Sequence, residues 1–487
     1  MEKQSSANYQ NGGADYYGGG SRREDLQVSV DIATLQDFSQ LLQSQPKKLY
    51  SDSRRRQIQK IPPQIRRRMR PSHQVYDPVM VSIGPYHHGK PGLRRAEEFK
   101  HLCLDRCAGG DEKKKAFFYS KILEEVSGVR DSYAEATIVG KYDDRSLALM
   151  MLLDASIIID FIHNYLGMEG NSFMDWKRCL GAGSGPLMIR DVMVMENQIP
   201  FQVLELLISL QYEEAEAASF LPRFFAGFLT QKTRTVGKIP FKVHCGEIED
   251  PPIHFLEAFW RVMVKTKKDI VMSEYGSVGK NKFVLSGFSM REERVDADIS
   301  YTHRSVMDLK AKGIRVRPNP ELSLRDITFK PESNALFSQL QLPVQYFSDL
   351  SPVVLANMIA LEVLPNGCSS PVMLSYAIFM KSLVQSPEDV KELQDNGVML
   401  NRLANREKVV EMIKEIDTFG LHDQDVFKDV KRRIEKHCRS RAKTWFADLI
   451  YTRFRTPWTA IAFFAALLLL CLASLQTFFT IRSSFTQ

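Results

Sequence analysis

Two short polar strings are the places where this sequence could do chemistry. The first is SIGPYHHG, whose turn-forming and imidazole residues are Gly84, Pro85, His87, His88 and Gly89. The second is ENQIPF, made of Glu196, Asn197, Gln198, Ile199, Pro200 and Phe201. Because imidazole and carboxylate groups are common general acids and bases, a polar pocket around His87, His88 and Glu196 would suit an enzyme of unrecognised mechanism.

The paired histidines also raise the question of a metal site. His101, Cys103 and Cys107 follow soon after them in the chain. These residues lack the close paired spacing of structural zinc ligands. The favoured interpretation is a turn at residues 82–86, with the imidazoles bonding backbone carbonyls around it, so we predict no metal ligand and no cofactor.

The ENQIPF string has a structural interpretation that we prefer to a catalytic one. Pro200 has no N–H to donate, which leaves a carbonyl free inside a helical pattern. Asn and Gln amides are suited to satisfy such groups, so Glu196, Asn197 and Gln198 are predicted to hold a helix bend. No Gly-x-Ser-x-Gly elbow, His-Glu-x-x-His helix or phosphate-binding loop occurs in the sequence, and we predict no catalytic residue and no enzyme.

The composition indicates what kind of folded domain positions these strings. The 487 residues are 44% hydrophobic and 25% charged, which is typical of a folded, water-soluble protein. Seven cysteines are scattered without a CxxC pair, so reduced thiols in the cytosol fit better than disulfides.

Helical periodicity dominates the chain. It predicts helices at 93–107, 114–127, 143–166, 187–211, 214–231, 252–265, 303–313, 351–364, 371–384, 386–396, 399–415 and 423–450. Short strands are predicted at KIPFKVHC, NKFVLSGF, GIRVRP, SLRDITFK and LQLPVQYF, between residues 236 and 347. The predicted fold class is therefore mainly α with a small β element, that is α+β.

The C-terminal region predicts a single transmembrane helix. No charge occurs between Trp458 and Ile481, and 24 helical residues span about 36 Å, against a hydrocarbon core of about 30 Å. Trp458, Phe478 and Phe479 lie near its ends, where aromatic rings prefer the membrane interface. A second apolar run, residues 146–162, contains Asp154 and is better explained as a buried core helix.

Charge predicts the orientation of this helix. Many cations precede it, namely Lys428, Lys431, Arg432, Arg433, Lys436, Arg439, Arg441, Lys443, Arg453 and Arg455, whereas only Arg482 follows. The positive-inside rule therefore predicts a cytosolic body and a single-pass, tail-anchored protein.

The remaining organisation follows from composition. We predict a disordered tail with a short amphipathic helix at 1–46, a basic segment at 47–70, a globular domain at 71–455, the membrane helix at 458–481 and a tail at 482–487. The basic segment could contact anionic lipid through Arg54, Arg55, Arg56, Arg66, Arg67 and Arg68. It could also be a nuclear or nucleic-acid signal or a solvated surface, and the anchor favours lipid over nucleic acid.

Longer strings in the chain resemble a known family. VSIGPYHHGKPGLRRAEEFK at 81–100, MVMENQIPFQVLELL at 193–207 and RSVMDLKAKGIRV at 304–316 occur in the order typical of the plant-specific domain-of-unknown-function 247 family, which includes UPF0481-like proteins. LQLPVQYFSDLSPVVLANMIALE at 340–362 and SYAIFMKSLVQSPEDVKELQDNGVM at 375–399 are also similar, and the resemblance covers about residues 60–481. The chain departs from the family at Ala155-Ser156, usually Gly-Cys, and at Glu362-Val363, usually Glu-Gln.

The resemblance implies a mostly helical body with one C-terminal anchor. No enzymatic activity or cofactor is established for the family, and its grass members are linked to self-incompatibility. The expected function is therefore protein–protein recognition or signalling at a membrane, in reproduction or defence by analogy with the family. Its expected partners are a membrane and an unidentified protein but no nucleic acid, and homo-oligomerisation stays open.

Overall fold

The apolar patterns of the chain fold into helices packed around one long buried helix. The structure is a computed structural model, which describes residues 56–68, 74–168, 172–231, 251–264, 304–321, 323–331, 338–365, 370–421, 425–439 and 457–484. The predicted N-terminal tail, Arg54 and Arg55 lie outside these described residues, and the described residues belong to one compact unit, Arg55–Gln487.

The helices of the first half surround the two polar strings. They are α1 Pro63–Arg68, α2 Arg94–Ala108, α3 Glu112–Glu124, α4 Val126–Asp131, α5 Ala136–Val139, α6 Asp144–Leu166, α7 Ser172–Leu180, α8 Ser184–Val192, α9 Phe201–Gln211, α10 Glu214–Gln231 and α11 Phe255–Val264. The helices of the second half are α12 Val306–Ala311, α13 Ser351–Val363, α14 Val372–Leu383, α15 Pro387–Asp395, α16 Arg406–Glu415, α17 Lys428–Cys438 and α18 Pro457–Ser484. Pro91–Leu93 and Asp425–Phe427 are short 3-10 helices.

The strands form two small sheets. They are β1 Ile314–Asn319, β2 Thr328–Pro331, β3 Ser338–Pro343, β4 Gln345–Phe347 and β5 Met399–Asn401. β3 lies between a parallel β1 and an antiparallel β2, and β4 pairs in parallel with β5. The predicted α+β class with a small β element is confirmed.

Helix α6 is the centre of the body. The Asp143 side chain caps its start by accepting the Ser146 N–H at 2.7 Å, and Gly167 ends it with a φ of 66°. α6 packs against α2, α3 and α9, and 83% of its most apolar stretch is buried. The prediction of a buried core helix at this run is confirmed.

Most predicted helices are confirmed within a few residues, but two predictions are wrong. The run 187–211 is interrupted, because α8 ends at Val192 and α9 begins only at Phe201. The run 399–415 begins with strand β5 before α16. The strings KIPFKVHC and NKFVLSGF lie outside the described residues, whereas β1 to β4 arise from the other three predicted strand regions.

The C-terminal helix α18 differs in its surroundings from the other long apolar helix in the described part of the chain, α6. Two helices in the described part of the chain are long and apolar enough to cross a membrane, and they are α6 and the Ile461–Phe479 portion of α18. None of the α18 stretch is buried against the rest of the protein, and Leu470 is 67% exposed. Phe478 and Phe479 are also exposed, and the backbone at Trp458 is helical.

Candidate functional site

The two polar strings meet inside the body. The segment between α8 and α9 carries ENQIP and lies against the backbone of residues 79–84. Asn197, which is fully buried, accepts the Ile83 N–H at 2.7 Å and donates to the carbonyls of Val81 and Asp191, each at 3.0 Å. Its amide therefore holds the SIGPYHHG string by hydrogen bonds to its backbone.

Gln198 extends the same arrangement towards α11. Its Nε2 donates to the carbonyls of Val192 and Val194 at 2.7 and 2.8 Å, and its Oε1 accepts the Leu256 N–H at 3.2 Å. The amides thus satisfy backbone groups as the structural interpretation expected. They do so at a complete break between two helices rather than at a bend, and Pro200 stands at the start of α9.

Asp191 is a part of this arrangement that sequence reasoning missed. Its buried carboxylate accepts the N–H groups of Val79, Met80 and Val81 at 3.0, 2.7 and 2.9 Å. Burial raises the pKa of Asp191, although these hydrogen bonds act in the opposite direction. No sequence signal pointed to it, because an acid near a helix end usually needs no further explanation.

Gly84 makes the closest backbone approach between the two strings. It has a φ of +76°, and a Cβ at this position would lie 2.2 Å from the Gln198 carbonyl oxygen. The Tyr133 hydroxyl donates to the same oxygen at 3.0 Å. Only glycine therefore fits here without moving the backbone.

A buried ion pair completes this region and explains the charge in the apolar α6. Asp154 accepts the Gly84 N–H at 2.7 Å and pairs with Lys100, which also donates to the Ser82 carbonyl at 2.7 Å. Burial alone would lower the pKa of Lys100, but the charges of Asp154 and Glu97 raise it. We call the side chains of Asp154, Asp191, Asn197 and Gln198, with the backbone of residues 79–84, the signature core.

His87 lies beside the signature core with no hydrogen bond to its ring. It is 3% exposed, its Nε2 lies 3.5 Å from a Glu196 oxygen, and its Nδ1 lies 3.9 Å from Asp77. Neither nitrogen has a hydrogen-bond partner among the described residues, so the prediction that this imidazole bonds a backbone carbonyl is wrong. Burial, reinforced by the charge of Lys90, lowers the pKa of His87 to about 4.

Glu196 joins His87 to the basic segment. One carboxylate oxygen accepts the Ile61 N–H at 2.7 Å, and the other pairs with Arg66 at 2.8 Å. His88 does not join this group, because its Nδ1 faces Glu97 at 3.5 Å and its ring packs edge-on against Tyr142. The structure thus brings together His87 and Glu196 from the predicted polar pocket and places His88 elsewhere.

The remaining predicted sites are dispersed. His101 is exposed, Cys103 is buried, and the Cys107 Sγ faces the Ser156 carbonyl at 3.7 Å. No group of three or more potential metal ligands is found in the part of the chain that the structure describes. Gly89 has a φ of +80° with open space around it, and Pro85 and Phe201 are buried.

The described arginines of the basic segment mostly pair with carboxylates. Arg56 pairs with Glu257, Arg66 with Asp77 and Glu196, and Arg68 makes two hydrogen bonds to Asp417, at 2.6 and 3.2 Å. Arg67 is exposed. These pairings attach the segment to the body, and contact with lipid stays a prediction.

Two adjacent clefts are lined largely by helices of the second half, and neither contains His87 or Glu196. One has a volume of about 600 Å³ and a largely charged rim, formed by Arg68, Lys408, Glu411, Lys414, Glu415 and Asp417. The other has a volume of about 700 Å³ and lies between α11, α13 and α14 with mostly apolar walls. The clefts share Ser348, Asp349, Leu355 and Ile416.

Together these features define a class of protein. It has a mostly helical body, in which the recognisable polar strings form hydrogen bonds in the interior, followed by an exposed apolar helix. The chain belongs to the domain-of-unknown-function 247 family, described as plant protein of unknown function, whose model matches residues 58–472. The resemblance inferred from the sequence strings is confirmed.

Two relatives from Arabidopsis thaliana are similar over most of their length. A putative UPF0481 protein is 25% identical over 85% of this chain and 88% of its own length. A second UPF0481 protein is 24% identical over 84% of this chain and 83% of its own. No solved structure matches the chain.

Proposed function

We propose that this protein is anchored in a membrane by α18 and that its helical body acts in protein–protein recognition or signalling there. The observation that carries the proposal is that no part of the Ile461–Phe479 stretch is buried against the rest of the described protein. Burial of apolar surface stabilises by roughly 25 cal/mol per Å², so a helix of this kind is unfavourable in water. A bilayer removes that exposure, and the 19 residues span about 28 Å at about 1.5 Å each.

The proposed orientation places the body in the cytosol. The cations between Lys428 and Arg455 precede the helix, and Arg482 alone follows it. Under the positive-inside rule this asymmetry favours a cytosolic body.

Recognition is favoured over catalysis by the use of the polar strings. The side-chain amides of Asn197 and Gln198 form hydrogen bonds with backbone groups of the protein. These amides are therefore unavailable to a substrate. The link to reproductive or defence recognition rests on the family resemblance alone.

One observation favours an enzyme as the second candidate. His87 and Glu196 lie 3.5 Å apart, and a buried imidazole without a hydrogen-bond partner could serve as a general base. The test is to express His87→Gln in plants whose own gene for this protein has been disrupted. If the folded variant corrects the defect that the disruption causes as well as the parent chain does, recognition is supported. If the folded variant fails to correct that defect, the enzyme is supported.

The anchor is tested by charge substitution together with topology. Replacing Leu469 and Leu470 by Arg places two charges near the centre of the proposed span, each costing about 3 kcal/mol on insertion scales. We expect the double variant to appear in the soluble fraction after alkaline extraction, whereas the exposed body variant Phe173→Arg stays in the membrane. Retention of the double variant would contradict the anchor.

Protease treatment of intact membranes tests the orientation. With separate tags at the two ends, we expect digestion of the N-terminal tag and protection of the C-terminal tag. The reverse pattern would place the body in a lumen or outside the cell and would contradict the charge argument.

A further inference from the structure

The apolar cleft between α11, α13 and α14 has the dimensions of a small-molecule site. Its volume of about 700 Å³ lies within the range of roughly 300–1,000 Å³ that ligand pockets show. Its walls include Phe259, Met358, Met373 and Met380. Flexible, polarisable Met side chains adapt to ligands of different shape, so these walls suit a hydrocarbon body.

One wall residue has a polar group without a protein partner. Tyr376 is 4% exposed and lines the cleft, and its hydroxyl makes no hydrogen bond within the described part of the chain. Tyrosine hydroxyls inside a protein usually find a partner. That of Tyr376 is not among the fully enclosed unpaired atoms of the described residues, so it reaches the open space of the cleft. Among the other buried tyrosines, Tyr133 and Tyr86 donate hydrogen bonds to backbone carbonyls, whereas the Tyr76 hydroxyl is also unpaired but lines neither cleft. The Tyr376 hydroxyl is therefore available to a ligand in the cleft.

The charges around the cleft favour an uncharged ligand. Among the lining residues only Asp349 and Arg402 carry a charge, and both are exposed. Arg402 stacks over the Tyr346 ring at 5.4 Å. Because the two charges are opposite and the deeper walls carry none, a charged group inside the cleft would lack a counter-ion.

We propose that this cleft binds an uncharged, lipid-like small molecule whose hydrocarbon body lies against Met358, Met373 and Met380. A single oxygen of that molecule accepts a hydrogen bond from the Tyr376 hydroxyl. The proposal rests on the cleft alone and does not depend on the proposed membrane anchor or on the recognition role.

The test uses the full chain in phosphatidylcholine nanodiscs, with ¹³C-methyl-methionine labels and 1-dodecanol as the probe. We expect the methyl signals of Met358, Met373 and Met380 to shift in a saturable manner. The matched control is Met151, which is fully buried in α6 about 21 Å along the helix from the cleft residue Tyr165. Individual Met→Leu variants assign each signal, and these local signals separate binding in the cleft from partitioning into the bilayer.

Two variants sharpen the test. Tyr376→Phe removes only the hydroxyl, so we expect affinity for 1-dodecanol to fall roughly fivefold while affinity for n-dodecane is unchanged. Val354→Trp adds bulk at a partly exposed lining position and should weaken binding of both probes. An unshifted Met151 signal confirms that each variant keeps its fold.

Three results would overturn the proposal. The first is an absence of shifts at the cleft methionines, as expected if another part of this chain fills the cleft. The second is a shift of Met151 equal to those in the cleft, which would indicate a general effect of the alcohol. The third is an unchanged dodecanol affinity in Tyr376→Phe, which would remove the hydroxyl from the site.

Discussion

The signature core and the apolar cleft bury polar groups in opposite ways. In the signature core Asn197 makes three hydrogen bonds to backbone groups, and Asp191 accepts three more. In the cleft the Tyr376 hydroxyl makes none within the described residues. A buried polar group that is fully paired stabilises one conformation, whereas an unpaired one is free to bind something else. The recognisable strings of this family therefore stabilise the fold, and the cleft is the better candidate for a ligand site.

The largest expected effect comes from Asn197→Leu. The new side chain is of similar size but leaves the Ile83 N–H and the Val81 carbonyl unpaired in the interior, whereas the Asp191 carbonyl keeps the Val194 N–H at 3.3 Å. We expect a loss of about 3–5 kcal/mol in the free energy of unfolding, because each unpaired buried group costs about 1–3 kcal/mol. Urea unfolding of the full chain measures it.

The matched control for this variant is Asn405→Ala. Asn405 caps α16 by accepting the Lys408 N–H at 2.9 Å on the surface. Loss of a cap costs about 1 kcal/mol. If the two variants were equally stable, the signature core would not hold the fold together as described.

Gly84→Ala should have the next largest effect, with Gly89→Ala as its control. Both glycines have positive φ, of 76° and 80°, so both variants carry the strain of a left-handed backbone, about 1 kcal/mol. At Gly84 the new Cβ also meets the Gln198 carbonyl at 2.2 Å, whereas at Gly89 it meets nothing within 4 Å.

We therefore expect Gly84→Ala to lose about 3 kcal/mol in the free energy of unfolding and Gly89→Ala only about 1 kcal/mol. Urea unfolding of the two variants under the same conditions provides the comparison. Equal losses would mean that the SIGPYHHG string can move away from Gln198 easily.

His87 should make stability depend on pH. Its pKa is lowered to about 4 in the folded protein from 6.5 when unfolded, so the unfolded chain binds more protons between these values. Stability is present above pH 6.5 and is lost as pH falls towards 4, by about 3 kcal/mol at most. Unfolding of His87→Gln across this range should show a flatter dependence on pH.

Glu362→Gln provides a control of opposite sign. Burial raises the pKa of Glu362 to about 7, so the stability that this group contributes below pH 4.5 is lost as pH rises through 7. Glu362→Gln should therefore remove the decrease in the free energy of unfolding that Glu362 causes as pH rises, and the dependence of stability on pH should become flatter at high pH. An unchanged acid slope in His87→Gln would show that His87 is not buried as the structure has it.

Local pattern was sufficient to predict much of the fold. The start of α15 follows from Ser386 and Pro387, and Gly313 and Gly397 follow α12 and α15 with φ values of 77° and 72°. These features depend only on neighbours in the chain. The break at residues 193–200 was missed because its apolar spacing continues the helical period, while the partners that interrupt it lie elsewhere.

The signature core and the cleft were beyond sequence reasoning for a related reason. Asn197 and Ile83 are 114 residues apart, and nothing in either string indicates that one bonds the other. The cleft consists of ordinary apolar residues whose spacing is that of core helices. An unpaired hydroxyl such as that of Tyr376 becomes visible only after all its neighbours have been placed.

The smallest expected effect compares the same substitution at a tyrosine bonded to the signature core and at the tyrosine of the cleft. Tyr133→Phe removes a hydroxyl that donates to the Gln198 carbonyl at 3.0 Å, so we expect a loss of about 1–2 kcal/mol in the free energy of unfolding. Tyr376→Phe removes a hydroxyl with no described partner, so its stability should change by less than about 0.5 kcal/mol or rise slightly.

Unfolding of both variants without added ligand measures this difference. If Tyr376→Phe is as destabilising as Tyr133→Phe, the Tyr376 hydroxyl already has a partner in the protein and is not available to bind a ligand in the cleft. If Tyr376→Phe is neutral alone yet loses the stabilisation that 1-dodecanol gives the parent chain, the hydroxyl acts on the ligand and not on the fold.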